Sequence, residues 1–257
     1  MNLAQQSSSV ARVFKLFKNP ATFYLDKLGW YGKDAFLSMR LKNGLQYKVH
    51  SGNTEVALFS EVFFSDLYRE FFAMIRPEMN ILDIGANVGI VSVAAAQKLE
   101  GGVVHAFEIN PEVVPLLREN VALNNMNKKI IVHPIGVAGK TETMQMYFKP
   151  YHWGGAHIAH EGARNEGKEV DVPCIKFHDI FALTRLARID LMKMDIEGGE
   201  KEVLEGMTSD DFKKIGAMLL EYHEPYVSAE KIKAQLEENG FTVALSRDFN
   251  ALLATRE

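Results

Sequence analysis

The chain has 257 residues, 47% of them hydrophobic and 24% charged, so it can bury a core of its own and disorder is not expected. Its formal net charge of −4 argues against a general nucleic-acid binder. The single cysteine, Cys174, excludes an internal disulfide and a cysteine-based zinc cluster. With no run of 18 apolar residues and no apolar leader, the sequence predicts no membrane span and a cytoplasmic protein.

Residues 1–76 are predicted to form a helical and hairpin cap that packs on the remaining residues, 77–257. One helical face is marked by Val10, Val13, Phe14 and Phe17. This face could meet a partner chain, a membrane surface or the protein's own body, and the last is the preferred interpretation. Alternation on both sides of Asn43-Gly44 predicts a hairpin over 36–50, and a helix is predicted over 61–75.

The segment from Asn80 to Ile90 predicts a buried strand, a tight glycine turn at Gly85 and the start of a helix. A second apolar strand over 103–107 ends at Glu108. An acid about 20 residues after such a turn is where nucleotide-binding βαβ units hold the ribose. The dinucleotide fingerprint G-x-G-x-x-G does not fit, because it would need glycine where the chain has Asn87 and Ile90.

Two further strands are predicted on either side of a long, aromatic-rich segment. Asn110-Pro111 predicts a helix start, and a third strand over 130–135 is followed by Gly136-Val137, where an adenine ring could lie. The strands at 143–148 and 170–175 then flank residues 149–169. A loop this long is either a substrate lid or an exposed hairpin tip. Its candidate substrate-binding residues are Tyr151, Trp153 and His157.

Acidic residues follow two strands that are predicted to be neighbours. Asp195 and Glu197 are two residues apart, so in extended backbone they point to the same side. Glu221 and His223 repeat this spacing at the end of the strand over 216–223, and ligands bind at the carboxyl ends of such strands. The four are therefore the candidate catalytic residues, with Asp195 first and Glu197 next. Three of them could also hold Mg²⁺ or Mn²⁺ through carboxylate oxygens: Asp195, Glu197 and Glu221.

Several of these motifs together resemble those of a known family. The turn D-I-G-A-N-V-G at 83–89 resembles motif I of class I S-adenosylmethionine-dependent methyltransferases. The segments F-E-I-N-P at 107–111 and K-M-D-I-E-G-G-E at 193–200 narrow the resemblance to the FkbM family. It covers roughly Leu45 to His223. It implies an α/β fold with a Rossmann-like, seven-stranded mixed sheet, S-adenosylmethionine as donor, and a hydroxyl of a small molecule, natural product or glycan as acceptor. The residues expected to contact the cofactor are Tyr68, Asp83, Gly85, Asn87, Gly89, Glu108, Ile109, Gly136, Val137 and Asp195.

Other functions on related folds remain open at this stage. An N-methyltransferase or a nucleic-acid methyltransferase would share the fold, but the acidic net charge and the missing N/D-P-P-Y/F motif argue against both. An NAD-dependent oxidoreductase is disfavoured by Asn87 and Ile90. The expected partner is a small-molecule or glycan acceptor rather than nucleic acid, and a homo-oligomer is left open.

Overall fold

The computed structural model describes residues 3–32, 35–52, 54–148, 156–158, 168–223, 228–246 and 249–256. The helices in these ranges are α1 (Leu3–Leu16), α2 (Pro20–Lys27), α3 (Thr54–Phe64), α4 (Asp66–Met74), α5 (Ile90–Ala96), α6 (Val114–Leu123), α7 (Asp179–Thr184), α8 (Glu200–Gly206), α9 (Ser209–Lys213) and α10 (Ala229–Glu238). The strands are β1 (Phe36–Arg40), β2 (Gln46–His50), β3 (Asn80–Ile84), β4 (Val103–Phe107), β5 (Ile130–His133), β6 (Gly136–Ala138), β7 (Glu142–Phe148), β8 (Ala156–Ile158), β9 (Lys168–Lys176), β10 (Ile189–Met194), β11 (Ile215–Glu221), β12 (Thr242–Leu245) and β13 (Ala251–Thr255). None of the helices described is both long and apolar enough to cross a bilayer.

A seven-stranded mixed sheet with the order β12-β13-β11-β10-β3-β4-β5 forms the centre of the protein, which confirms the predicted fold class. Its pairs from β5 to β11 are parallel, and β13 runs antiparallel to both β11 and β12. The strands β4 and β5 lie on one side of β3, and the later strands β10 to β13 lie on the other side. The carboxyl ends of β3 and β10 therefore flank a topological switch point, where open α/β sheets bind ligands.

Both faces of the sheet are buried, which explains why its parallel strands read as nearly continuous apolar runs. Ile81 and Leu191 face one core cluster, and their chain neighbours Leu82 and Met192 face the other. Phe59 of the N-terminal region belongs to the first cluster. The predicted cap thus shares a hydrophobic core with the sheet, while its boundary at residue 76 stays a prediction.

The N-terminal region differs from the prediction in two places. The helix expected over 61–75 is two helices, because Ser65 adopts extended backbone and its hydroxyl caps α4 by accepting from the N–H of Leu67 at 3.1 Å. The expected single helical face of α1 is also divided. Val13 and Phe17 are buried, whereas Val10 and Phe14 are 46% and 53% exposed.

The four strands that follow β5 in the chain form a second sheet with the order β6-β9-β7-β8. The strands predicted at 143–148 and 170–175 are β7 and β9, which pair antiparallel. The short strand β6 was not predicted, and it pairs parallel with β9. The helix expected to start at Pro111 begins instead at Val114, after a turn in which the side chain of Asn110 accepts from the N–H of Glu112 at 3.0 Å.

Candidate functional site

A cavity of about 1060 Å³ opens at the carboxyl ends of the central strands. Its walls come from the turn after β3, the ends of β4, β10 and β11, the second sheet and helix α3. The predicted residues that line it are Gly85, Asn87, Glu108, Ile109, Gly136, Val137, Asp195, Glu197, Glu221 and His223. This volume exceeds the roughly 300–1,000 Å³ of a typical single-ligand pocket, so it is large enough for a cofactor and a small acceptor together.

The glycine turn is held against the neighbouring strands by its backbone. The N–H groups of Gly85 and Ala86 both donate to the carbonyl of Phe107, at 3.0 and 2.9 Å. Gly85 has φ +78°, and a Cβ there would collide with the backbone carbonyl oxygen of Asp195. The turn therefore needs glycine for both its conformation and its close approach to the end of β10.

We expect Gly85→Ala to destabilise the protein far more than Gly29→Ala. Gly29 has a similar φ of +69°, but a Cβ there would meet nothing within 4 Å. The control variant should therefore lose only the strain of a left-handed residue, about 1–2 kcal/mol. Gly85→Ala should lose a further 1–3 kcal/mol or so from overpacking against rigid backbone. Urea unfolding measures both, and equal losses would contradict this packing of the turn.

Glu108 is buried at the end of β4, and both of its carboxylate oxygens accept from backbone N–H groups. Oε2 accepts from Asn87 and Oε1 from Asn110, each at 2.7 Å. Burial raises the pKa of Glu108, although these two hydrogen bonds oppose the shift. Each carboxylate oxygen has a second lone pair, so the pair of oxygens can still accept from the two hydroxyls of a ribose.

Apolar side chains line the cavity around Ile109. Gly136 allows tight packing there, because a Cβ on it would collide with the side chain of Ile109 and lie 2.8 Å from Sγ of Cys174. Met144 and Met146 of β7 line the same side of the cavity. This apolar lining, near Glu108, is where the sequence predicted the adenine ring, and that position stays a prediction.

Three of the predicted cofactor contacts do not line this cavity. Asp83 is buried beneath the glycine turn, where Oδ2 accepts from the hydroxyl of Ser92 at 2.5 Å. Gly89, with φ +86°, precedes α5 and faces the side chain of Leu117. Tyr68 is buried and donates to Oε1 of Glu221 at 2.7 Å. The structure therefore gives these three residues supporting positions around the site.

Lys193 is a buried residue of this region that the sequence reasoning missed. Its Nζ donates to the carbonyl of Gly85 at 2.8 Å and to Oδ2 of Asp195 at 3.3 Å. Burial alone would lower the pKa of Lys193, but the carboxylates of Asp195 and Asp83 outweigh it and raise that pKa. Lys193 thus fixes the turn and Asp195 relative to each other. A lysine among the apolar residues Leu191, Met192 and Met194 of β10 was the available signal.

Asp195, Glu197 and His223, three of the four residues expected to converge, lie together on one wall of the cavity, although Glu197 is in a turn after β10 and not in extended backbone. The Nε2 atom of His223 lies 3.4 Å from Oε2 of Glu197 and 3.9 Å from Oδ1 of Asp195. Burial and the nearby Asp195 raise the pKa of Glu197 to about 7. Glu197 has φ +55°, an uncommon conformation for a residue other than glycine, and such strained backbone clusters at functional sites.

Glu200 fixes the ring of His223 through a hydrogen bond. It is fully buried, and its Oε1 accepts from Nδ1 of His223 at 3.1 Å and from the N–H of Ile196 at 3.0 Å. The hydrogen bond to Glu200 raises the pKa of His223 to about 9. Although burial opposes it, the same bond helps to lower the pKa of Glu200. Glu200 thus orients an imidazole towards the cavity.

The raised pKa of His223 should make stability depend on pH. Its stabilising charge is fully present below the ordinary value of 6.5 and is lost as pH rises through about 9. We expect the free energy of unfolding to fall over this window by on the order of 1–3 kcal/mol. In His223→Gln this slope should disappear, whereas His178→Gln, at a side chain 54% exposed, should retain it. Urea unfolding between these pH values decides, and an unchanged slope in His223→Gln would contradict the assignment.

Glu221 lines the cavity but has different partners. Besides accepting from Tyr68, its carboxyl group lies near that of Glu61. Burial, with Asp195 and Glu61 nearby, raises the pKa of Glu221 well above its ordinary value. Sequence reasoning missed the wall that carries Glu61. That wall is one face of α3, with the helical spacing of Thr54, Ala57, Leu58 and Glu61.

The grouping that could hold a metal ion differs from the predicted one. The ligand atoms of Asp195, Glu197 and His223 all lie within 4.8 Å of one another. Glu221 is outside this group, because it faces Tyr68 and Glu61. Of the candidate substrate-binding residues, Tyr151 and Trp153 lie outside the described residues, and His157 is in β8, where its backbone pairs with Tyr147.

Comparison with known proteins gives a decisive match over the residues that build this site. The profile of the methyltransferase FkbM domain matches residues 83–243, more than half of the chain. The chain belongs to the FkbM methyltransferase family. It is therefore an S-adenosylmethionine-dependent methyltransferase, which confirms the predicted family and removes the NAD-dependent oxidoreductase from the alternatives.

Individual relatives of this FkbM-family enzyme are distant. It is 25% identical, over 84% of its length and 92% of the relative's, to 31-O-demethyl-FK506 methyltransferase FkbM of Streptomyces tacrolimicus. It is 28% identical to methyltransferase sdnD of Sordaria araneosa, over 65% of its own length and 75% of the relative's. Among solved structures, magnesium protoporphyrin IX methyltransferase from Synechocystis PCC 6803 with bound SAM matches with a TM-score of 0.44 and 15% identity, over 78% of each chain.

Proposed function

We propose that this enzyme transfers the methyl group of S-adenosylmethionine to a hydroxyl of a small-molecule acceptor. The observation that carries the proposal is the position of Asp195, Glu197 and His223. They open into the same cavity as Glu108 and the glycine turn. Two carboxylates and an imidazole beside a nucleoside site are the groups that a weakly nucleophilic hydroxyl requires. The 31-O-demethyl-FK506 methyltransferase relative, whose name describes O-methylation of a small molecule, supports the same acceptor class.

The cofactor side of the site consists of preformed binding groups. Glu108 would accept from the ribose, and the apolar lining around Gly136 and Ile109 would contact the adenine ring. The turn at Gly85 packs against Asp195. S-Adenosylmethionine supplies a methyl group on a positively charged sulfur.

On the acceptor side, two neighbouring carboxylates have different roles: one orients the hydroxyl and the other accepts its proton. Asp195 is held by Lys193 against the glycine turn, so it can orient the hydroxyl for in-line attack. Glu197 is the group that takes the proton, since its pKa of about 7 suits a base at neutral pH. As the hydroxyl oxygen forms its bond to the methyl carbon, the carbon–sulfur bond breaks and the proton passes to Glu197. His223 faces both carboxylates and limits their repulsion.

The Glu61–Glu221 pair forms a second contact surface for the acceptor. One wall of the cavity is α3, and Glu61 on that helix lies near Glu221. Two neighbouring carboxyl groups offer several hydrogen-bond acceptors. Such a pair fits an acceptor with several hydroxyl groups, which includes natural products and glycans.

A divalent ion such as Mg²⁺ or Mn²⁺ is the second candidate for activating the hydroxyl. The compact grouping of Asp195, Glu197 and His223 favours it, because carboxylate and imidazole together suit Mn²⁺ and related ions. Bound there, the ion would lower the pKa of a coordinated hydroxyl. Under direct proton transfer to Glu197, we expect full activity after treatment with a chelator. Activity that is lost on chelation and restored by Mn²⁺ would establish the ion instead.

The proposal is tested by measuring release of S-adenosylhomocysteine with panels of polyhydroxylated natural products, glycans, amines and RNA. We expect turnover with a hydroxylated small molecule and none with RNA, and NMR of the product should place the new methyl group on oxygen. Asp195→Asn is the matched negative control, since it differs by one charge. Turnover confined to amines would make the enzyme an N-methyltransferase and overturn the proposed acceptor class.

A further inference from the structure

The N-terminal region exposes an apolar surface that the methyl-transfer site does not use. On α1, Val10 and Phe14 are one turn apart and about half exposed. The ring of Phe14 contacts that of Tyr24 on α2, at 6.2 Å between centroids. Leu28, one turn after Tyr24, is 80% exposed, and Trp30 follows it at 75%. We call this surface the N-terminal stripe: Val10, Phe14, Tyr24, Leu28 and Trp30.

The exposed charged side chains of residues 10–32 are all positive. These residues are Arg12, Lys15, Lys18 and Lys27. The sole acid between residues 3 and 32 is Asp26, which is 6% exposed and accepts from the hydroxyl of Ser51 at 2.7 Å and the N–H of Gly52 at 2.8 Å. It points inward and neutralises none of the four cations. This local balance is opposite to that of the whole chain, at −4.

We infer that the N-terminal stripe docks the enzyme onto the surface of an anionic lipid bilayer. Exposed aromatic and leucine side chains between basic residues are the combination that lies at the headgroup level of membranes. The cations would contact anionic headgroups while Trp30, Leu28 and Phe14 enter the interface. A second copy of the chain fits less well, because a two-fold contact would bring the same four cations against each other.

The inference is independent of the acceptor, because it depends on residues outside the cavity. Vesicle sedimentation of the full chain tests it, with phosphatidylcholine alone and with about 30 mol% phosphatidylserine added, at low ionic strength. We expect sedimentation with the anionic vesicles only. Raising the salt from about 0.1 M to about 1 M should release the protein, because the Debye length falls from about 10 Å to about 3 Å.

Two variants separate the charged and apolar contributions. The triple variant Arg12→Gln, Lys15→Gln, Lys18→Gln should bind anionic vesicles at least about tenfold more weakly. The double variant Leu28→Ser, Trp30→Ser should lose binding. All these positions are exposed, so the variants should keep the wild-type unfolding midpoint. Leu183→Ser is the matched control, since Leu183 is 48% exposed on α7, a helix that packs on the opposite face of the sheet, and it should bind as wild type does.

Equal sedimentation of wild type and the triple variant would overturn the inference. So would failure of the wild type to bind anionic vesicles. Light scattering after size exclusion adds one further outcome. A dimer that the Leu28→Ser, Trp30→Ser variant converts to a monomer, with no vesicle binding by the wild type, would show that a second copy covers the stripe.

Discussion

Asp195→Asn should reduce methyl transfer at least about 100-fold and leave the affinity for S-adenosylmethionine within a few-fold of the wild-type value. The substitution keeps the shape of the side chain and removes its charge. Oδ2 of Asp195 accepts from Lys193, while Oδ1 faces His223 across the acceptor side of the cavity. The cofactor contacts at Glu108 and Gly136 lie elsewhere on the wall, so cofactor affinity should change little.

The matched control is Asp190→Asn on the same strand. Asp190 lies at the opposite end of β10, where its carboxylate accepts from the N–H of Asn80 at 2.8 Å. This variant loses the same charge and should retain transfer activity. Rates come from release of S-adenosylhomocysteine, and affinities from calorimetry. A near-normal rate for Asp195→Asn would mean that Asp195 is structural and that another group orients the acceptor.

Glu108→Ala should weaken S-adenosylmethionine binding at least about tenfold, since it removes the acceptors for both ribose hydroxyls and leaves two buried backbone N–H groups unpaired. Those N–H groups belong to Asn87 and Asn110, so the turn itself should loosen and stability should fall by about 1–3 kcal/mol. Glu108→Gln keeps one acceptor oxygen and should be intermediate in both respects. Calorimetry measures the affinities, and urea unfolding measures the stabilities.

A charge-matched control separates local from general effects of the Glu108 variants. Glu230→Ala removes one exposed carboxylate from the first turn of α10, which does not line the cavity. It should bind S-adenosylmethionine as wild type does. Unchanged affinity in a folded Glu108→Ala would show that the ribose lies elsewhere.

The parts of the fold and site that depend on local pattern were predictable. Glycines flanked by apolar strands predicted the turn, and the ends of two neighbouring strands predicted the region where Asp195, Glu197 and His223 meet. The extended backbone expected at Glu197 was wrong, because this residue has φ +55° in a turn after β10. The contribution of α3 was not predictable from the assigned helix, because that helix was expected to start at Glu61. The cavity-facing spacing of Thr54, Ala57, Leu58 and Glu61 appears only when the helix begins at Thr54. The cap at Ser65, followed by Asp66, was the overlooked signal.

Other misses arose from tertiary contacts that no single segment contains. Asp83 was expected to face the cofactor because it stands at the end of the first strand. It instead points beneath the turn to Ser92, and the cavity side of that region is occupied by the backbone of Gly85. Likewise, the group of possible metal ligands includes His223 rather than Glu221. The Glu221 carboxyl group instead accepts from Tyr68 and lies near Glu61, both of which belong to the N-terminal region. Neither contact leaves a signature in strand periodicity.

The central claim is that one cavity binds the ribose at Glu108 and presents the methyl group to the wall formed by Asp195, Glu197 and His223. A crystal structure with S-adenosylhomocysteine tests it most directly. We expect both ribose hydroxyls to donate to Glu108, the adenine ring to lie beside Gly136, and the sulfur to face Asp195 past the turn at Gly85. A nucleoside bound away from Glu108, or a sulfur directed away from Asp195, would contradict the account.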